Sequence, residues 1–451
     1  MLRLWVYKLI LQGNQTNDFL KEYKPNLHFA KSLFLLFLAD SHVTATNNGP
    51  VVWILNHYAG SRIHGMEYRH YYLARHFRQM GLRPVIVCAS FHHLQTKRPE
   101  GRRAEVDGIP YVWIKTCRYE GNGLGRVANM AGYSLRLACK RLKELPRPEV
   151  VIASSPHLFA ALNGHRFAKR YKAKFIFEVR DLWPLSVQEL GGYSSRHPFI
   201  RAMAWTQRFA YEHCDVTVSL CPGAKEYMVA HGLDEKKFVH IPNGFDLEAA
   251  RRNVDDLPET HAGVIDRLKR EGKRIVLYSG NHGIANALEH VVAAAELLKD
   301  ETGIHFLLVG QGPEKPALEE SAREAGLQNV TFLPSVTRSQ MPALTREADL
   351  GYIGLQKKDL FKYGVSPNKL FEYMAAGLPV IFAIDTSYDK VSEARCGFSI
   401  PAEDPQALAD VVRKIRQMPR DQLAEMGNRG RQYVQRMHTY KVLARQYVSL
   451  F

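Results

Sequence analysis

At 451 residues the chain is too long for one hydrophobic core and long enough for two domains that each bury their own. Its 46% hydrophobic and 24% charged residues are ordinary for a globular protein and argue against extended disorder. The net charge of +16 is uneven: residues 1–250 hold 34 Lys and Arg against 20 Asp and Glu, whereas residues 251–451 hold 27 against 25. The first half therefore carries the basic balance, which suits anionic lipid, a phosphorylated acceptor or nucleic acid. No aromatic-interleaved basic motif or helix-turn-helix pattern favours nucleic acid, so none is expected as a partner. The six cysteines form no Cys-x-x-Cys pair, which argues against a disulfide framework or zinc site and fits a reducing cytosol.

Residues 1–50 read as an N-terminal extension with apolar clusters at Leu2–Leu11 and Leu33–Ala39. Each is short of the roughly 20 residues that a membrane-spanning helix needs. An interfacial anchor, a loosely packed extension and sequence upstream of the true start all stay open. Val51–Leu55 is a buried-strand pattern, followed by a polar loop, a helix over residues 66–80 and a second strand from Pro84 to Ala89. This is a βαβ start, and its strand-end loop, with His64, Gly65, Glu67 and Arg69, lies where open α/β sheets bind ligands.

A strand is expected over Gly108–Ile114 and a helix over Arg126–Leu145. That helix sets Arg136, Lys140, Arg141 and Lys143 beside Leu135, Leu137 and Leu142. It fits a membrane surface, and a solvated basic face fits the same pattern. Strands at Glu149–Ala153 and Phe175–Val179 each run into a polar loop, the second carrying Arg180-Asp181. There an Arg can steady a phosphate while the adjacent carboxylate takes a proton from a hydroxyl; a structural salt bridge is the other reading. His92, His93 and His157 have no partner at metal-ligand spacing and read as surface histidines. Residues 51–246 thus form a first domain, 247–272 a charged linker, 273–430 a second domain, and 431–451 a helix at the end.

The second domain repeats the alternation. Arg274–Ser279 leads into Gly280-Asn281, and His305–Val309 into Gly310-Gln311-Gly312, where glycine lets backbone approach a ligand closely. Tyr363 to Ile381 then reads as loop, helix and buried strand, with Ser366 as the helix cap, Pro367 at its first position and Gly377 at its end. A helix start carries about +0.5 charge and unpaired N–H groups, which suits a phosphate, and Lys369 adds a full charge there. Glu372, one turn on, is placed to reach the hydroxyls of a ribose. A solvated amphipathic helix would show the same spacing.

Ser366-Pro367-Asn368-Lys369-Leu370-Phe371-Glu372-Tyr373-Met374-Ala375-Ala376-Gly377-Leu378-Pro379-Val380 resembles the donor-site helix of glycosyltransferase family 4, in the GT-B superfamily. Arg180-Asp181-Leu182-Trp183-Pro184 and His64-Gly65-Met66-Glu67-Tyr68-Arg69 resemble the branch that assembles bacterial surface polysaccharides. The resemblance implies two doubly wound Rossmann-like domains facing across a cleft, with the final helix crossing back to the first. It also implies a retaining, metal-independent transferase without a cofactor. That enzyme would move a hexosyl or N-acetylhexosaminyl unit from a nucleotide-diphosphate sugar, a UDP-sugar being favoured, to a saccharide acceptor.

On this reading Glu372 binds the donor ribose. Gly280, Asn281, Gly310, Gly312, Gly364, Ser366, Asn368 and Lys369 surround the donor, and Arg180 and Asp181 face the reacting centre. His64, Gly65, Glu67 and Arg69 form the acceptor or phosphate loop. The chain departs from the family at two places. Gly364 stands where the family's first glutamate falls, and Gly280-Asn281 lacks both the usual arginine and the lysine that follows it a few residues on. The basic first half fits a polyprenyl-diphosphate-linked acceptor and a peripheral position at the inner face of the cytoplasmic membrane. A sugar-nucleotide epimerase on the same scaffold and a non-catalytic basic binding protein are the alternatives.

Overall fold

A computed structural model describes residues 48–451 apart from 66, 122, 141 and 249–253. The apolar clusters of residues 1–50 lie outside the described residues. In β1 (Val51–Leu55), Val51, Trp53 and Leu55 enter one core while Val52 and Ile54 enter another. This period-2 split means that both faces of the strand are covered, as a parallel sheet requires. The same division recurs in β9 (Arg274–Ser279), where Val276 and Tyr278 face one core and Ile275 and Leu277 the other.

The first sheet contains β1, β2 (Arg83–Ala89), β3 (Arg103–Val106), β4 (Ile109–Ile114), β5 (Val150–Ser154), β6 (Lys174–Val179), β7 (Val216–Ser219) and β8 (Phe238–His240). Its strand order is β3-β4-β2-β1-β5-β6-β7-β8, parallel except for the β3–β4 hairpin. Helix α1 (Arg69–Gln79) covers one face. The other face carries α2 (Leu124–Cys139), α3 (Ala160–Tyr171), α4 (Leu185–Gly191), α5 (Pro198–His213) and α6 (Ala224–Ala230). The helix expected over 126–145 ends at Cys139, because Lys140 is extended and Leu142 takes a positive φ. Lys140 and Lys143 therefore leave the helix face.

The stretch 247–272, read as a linker, contains α7 (Glu259–Arg270), whose Ile265 and Leu268 are buried in a core of the second sheet. Its charges lie on the exposed side of an amphipathic helix, which is why composition resembled a linker. The second sheet has β9, β10 (Ile304–Val309), β11 (Val330–Leu333), β12 (Leu350–Gly354), β13 (Val380–Ala383) and β14 (Gly397–Ile400), in the order β11-β10-β9-β12-β13-β14, all parallel. Around it lie α8 (Glu289–Leu297), α9 (Lys315–Glu324), α10 (Met341–Glu347), α11 (Asn368–Ala376), α12 (Lys390–Ala394), α13 (Pro405–Gln417) and α14 (Arg420–Met437).

The last helix, α15 (Tyr440–Val448), buries Tyr440, Leu443, Ala444 and Tyr447 in the core of the first sheet against α1. Tyr440 stacks on Tyr72 with ring centroids 5.0 Å apart. In both sheets the order reverses beside one central strand, β1 in the first and β9 in the second. Loops after such strands open a crevice at the carboxyl edge of the sheet.

Candidate active site

Gly280 follows β9 at this switch point with φ +150°, a conformation that side chains disfavour. Lys369, in the first turn of α11, lies over it. Its Nζ donates to Tyr278 Oη at 2.9 Å and Asn286 Oδ1 at 3.2 Å, and sits 3.1 Å from where a Gly280 Cβ would stand. Burial lowers the Lys369 pKa from 10.5 to about 8, against the opposing pull of Glu372. Gly310 and Gly312 serve the loop beneath: a Cβ on Gly310 would lie 1.8 Å from Gly280 O, and one on Gly312 2.3 Å from His282 O. The backbone approach that these two glycines permit is loop against loop. Asn281 is exposed, and its carbonyl accepts from Tyr278 Oη at 2.6 Å.

Ser366 is not the helix cap. Pro367 holds that position, and the Ser366 hydroxyl accepts from the Asn243 amide at 3.0 Å while its carbonyl accepts from Asn243 Nδ2 at 2.7 Å. The residue ties residues 241–246, the crossover turn that follows β8, to the second domain. The helix still begins at Asn368, which is exposed, and ends at Gly377 with φ +80°. Glycine suits that left-handed turn, beside which Arg431 Nη2 bonds the Ala376 carbonyl at 2.7 Å.

Two cavities open beside α11. The larger, about 500 Å³, is lined by Tyr68, Asp246, Arg338, Met341, Glu372 and Arg431 among others. Glu372 is half-buried; burial raises its pKa, and Arg338 and Lys369 oppose the rise. The Arg338 guanidinium stacks 4.2 Å from the centroid of Tyr68, bridging the two sheet units. Arg338 was not legible in sequence, where it is one polar residue of a loop. The smaller cavity, about 230 Å³, is lined by Arg180, Asp181, Ser186, Cys221, Asn243, Gly364 and Ser366 among others.

Arg180 pairs with Glu67 at 2.6 Å and not with its neighbour Asp181, while its amide donates to Ser155 Oγ at 2.9 Å. Burial works against the Arg180 charge, but Glu67, Glu178 and Asp181 more than offset this and hold its pKa up. Asp181 is thereby left open to the cavity. Asp181 is exposed there; partial desolvation by the surrounding protein raises its pKa, against the pull of Arg180.

Three residues of the expected acceptor loop lie elsewhere. Arg69 is 2% exposed and wholly engaged: Nε with Glu178 at 2.9 Å, Nη1 with Pro242 O at 2.7 Å, and Nη2 with Ile241 O at 3.2 Å. Tyr447 Oη also donates to Glu178, so this network fastens α15 and the crossover turn to the first sheet. A buried carboxylate on β6 demands such a partner, which is why Arg69 turns inward. Gly65 packs against residues 94–95, where a Cβ would lie 2.5 Å from Leu94 O. The His64 ring bonds Ser61 Oγ at 3.0 Å and lies 5.0 Å from the Trp113 ring. Neither lines a cavity beside α11.

His92 and His157, read as surface residues, are each 1% exposed, and His157 Nε2 lies 3.1 Å from Nδ1 of the equally buried His57. Burial lowers the pKa of His92 and of His157 to about 3, so both are neutral. Among the described residues no group of three His, Cys, Asp or Glu side chains is arranged to hold a metal ion.

Two parallel-sheet units meeting at a cleft, with the donor-type helix at its wall, define a glycosyltransferase of the GT-B fold. Residues 64–244 match the family model of the glycosyl transferase 4-like domain, and residues 273–417 that of the glycosyl transferases group 1. The chain belongs to glycosyltransferase family 4, on its surface-polysaccharide branch.

It is 25% identical over 307 residues to WcaI of Escherichia coli K12, named as a colanic acid biosynthesis glycosyl transferase. The match covers 67% of this chain and 74% of WcaI. Glycosyltransferase WbjE of Pseudomonas aeruginosa is 22% identical, over 61% of this chain and 66% of its own. Among solved structures, sucrose-phosphate synthase of Thermosynechococcus elongatus superposes with a TM-score of 0.68 at 15% identity, covering 89% of this chain and 98% of that one. Anabaena HepE in complex with UDP and glucose gives 0.60 at 13% identity, covering 89% and 99%. The protein is a glycosyltransferase of polysaccharide biosynthesis.

Proposed function

We propose that this transferase takes a hexosyl or N-acetylhexosaminyl unit from a UDP-sugar and places it, with retention and without a metal, on a lipid-linked saccharide at the cytoplasmic side of the membrane. One observation carries the donor assignment: Lys369 Nζ, at the start of α11, lies directly over the Gly280 turn. A diphosphate there meets a full cation and the unpaired amides of a helix start. Glu372, one turn on, lines the larger cavity and accepts from the ribose hydroxyls. Arg338, stacked across the cleft on Tyr68, adds the positive charge that Gly280-Asn281 lacks.

Transfer breaks the bond from the sugar C1 to the diphosphate oxygen and forms one to the acceptor oxygen. Asp181 takes the acceptor's proton, and its raised pKa makes it a stronger base than an ordinary carboxylate. The electron pair of the broken bond leaves on the diphosphate, stabilised by fixed cations and N–H groups. Asp181 and Gly364 line the same cavity, so a first-domain carboxylate stands opposite the position where the family's first glutamate is missing.

Thermal stability against a panel of nucleotides and nucleotide sugars, with and without chelator, tests the reading. A ligand at 100 times its dissociation constant adds about 2.7 kcal/mol. Stabilisation by UDP and one UDP-sugar, unchanged by chelator, is expected. No stabilisation by any of them would overturn the donor site. Turnover of a nucleotide sugar without acceptor would favour the epimerase.

A further inference from the structure

The first half of the sequence holds nearly all the excess positive charge, and the fold distributes it unevenly. On one face of the first sheet, two of the three arginines of α1, Arg69 and Arg75, are neutralised by Glu178 and by Asp246 and Glu248, and Arg78 donates to the Asp107 carbonyl. On the other face, α2, α3 and α5 carry Arg136, Arg166, Lys169, Arg170, Arg201 and Arg208, whereas Arg126 of α2 turns inward over the Tyr58 ring. Glu212 is the single carboxylate on those three helices. Of the acids that flank these helices, Glu144 pairs with Arg103 and Asp215 accepts from the Phe175 amide. Arg136 and Arg166 donate to backbone carbonyls, which leaves their charge in place.

The same face exposes large apolar side chains. Leu124 is 88% exposed, Leu135 67% and Trp205 60%. Trp205, Phe209 and His213 recur every four residues along α5 and stack in sequence, with centroids 5.7 and 4.2 Å apart. His165 of α3 closes on the end of this stripe, 4.8 Å from His213. At the rim of the smaller cavity, α4 adds exposed Leu190, with Tyr193 just beyond it, while Ser186 of the same helix lines that cavity.

We infer that the α2–α3–α5 face is a docking surface for an anionic lipid membrane. Charge complementarity selects an anionic partner, and the exposed leucines and tryptophan select lipid over nucleic acid. A phosphate backbone offers Leu124 and Leu135 nothing, whereas the headgroup boundary takes up apolar side chains and favours Trp. Among the described residues no helix is long and apolar enough to cross a membrane, so this face binds in the plane of the surface. The continuation to the cavity through α4 gives a lipid-linked acceptor a short path; that consequence rests on the acceptor proposed above, whereas the docking does not.

The test is co-sedimentation of the full chain with vesicles of phosphatidylcholine alone and of equal parts phosphatidylcholine and phosphatidylglycerol. Binding is expected to the mixed vesicles only and to weaken as salt rises. The triple variant Lys169→Gln, Arg170→Gln, Arg208→Gln should bind them about a hundredfold more weakly, since each cation at an anionic surface is worth roughly a fivefold change. Addition of the mixed vesicles should shift tryptophan emission to the blue in the unsubstituted protein and much less in Trp205→Phe. Stabilisation by UDP should be the same in all three proteins, which separates failure of the docking from failure of the donor site. Vesicle binding unchanged in the triple variant would place the affinity elsewhere in the chain and overturn the inference. So would tighter binding to a duplex DNA than to the mixed vesicles.

Discussion

Lys369 offers a direct test of the donor site, because its environment works against its charge until an anion arrives. Burial lowers its pKa from 10.5 to about 8, a cost to the charged form of roughly 3 kcal/mol. In the free protein the unfolded chain holds this proton more tightly than the folded one. The contribution of Lys369 to stability therefore rises with pH between about 8 and 10.5. A bound diphosphate reverses the sign, since a charge about 4 Å away favours the ammonium by roughly 4 kcal/mol per unit charge at an effective dielectric of about 20.

Binding UDP above pH 8 must then take up a proton. The dissociation constant should be flat below about pH 8 and rise by up to tenfold per pH unit above it, as far as the pKa of the complex. Lys369→Met should weaken UDP by about 10- to 150-fold near neutral pH, the worth of a charged hydrogen bond, and should abolish the alkaline dependence. Titration calorimetry in buffers of different ionisation enthalpy reads the affinity and the proton together. A flat profile up to pH 10 in the unsubstituted protein, or an unchanged affinity in a folded Lys369→Met, would refute the placement of the diphosphate.

Glu372→Ala should weaken UDP by about 1–3 kcal/mol in the same calorimeter, and an equal affinity would remove Glu372 from the ribose. Asp181→Asn should lower kcat by about 10²- to 10⁴-fold while leaving UDP affinity unchanged. With Asp181 as base, activity should fall as pH drops through a pKa above the ordinary carboxylate range, and an acid limb at the ordinary value would contradict its desolvation. Arg69→Met should destabilise the fold by about 3–5 kcal/mol, read by denaturant unfolding, because Glu178 is left buried without its arginine. Full stability with reduced ligand affinity would return Arg69 to the binding loop.

Much of the architecture was legible because its signals are local. Val51–Leu55 and Val380–Ala383 are apolar runs bounded by turns, and the strands form there. Ser366 misled because a Ser-Pro pair signals a helix cap wherever it occurs. Here the Asn243 amide, 123 residues away in sequence, takes the hydroxyl first. Strand β3 is hard to read because its arginine and glutamate lie on an exposed edge, and α7 because its charges outnumber the three residues it buries.

By itself the sequence determined the class of protein: two α/β halves, a Ser-Pro-Asn-Lys stretch at a helix start with Glu372 one turn on, and an uneven positive charge. Those features depend on spacing within a few residues or on sums over many, and neither needs the third dimension. The tertiary structure decided which polar side chains are free to act. Arg180 turned from Asp181 to Glu67, Arg69 went to the buried Glu178, and His92 and His157 went inside. Pairing among buried charges is settled by which partners the packed sheets bring within about 3 Å, and such partners stand more than a hundred residues apart in the chain.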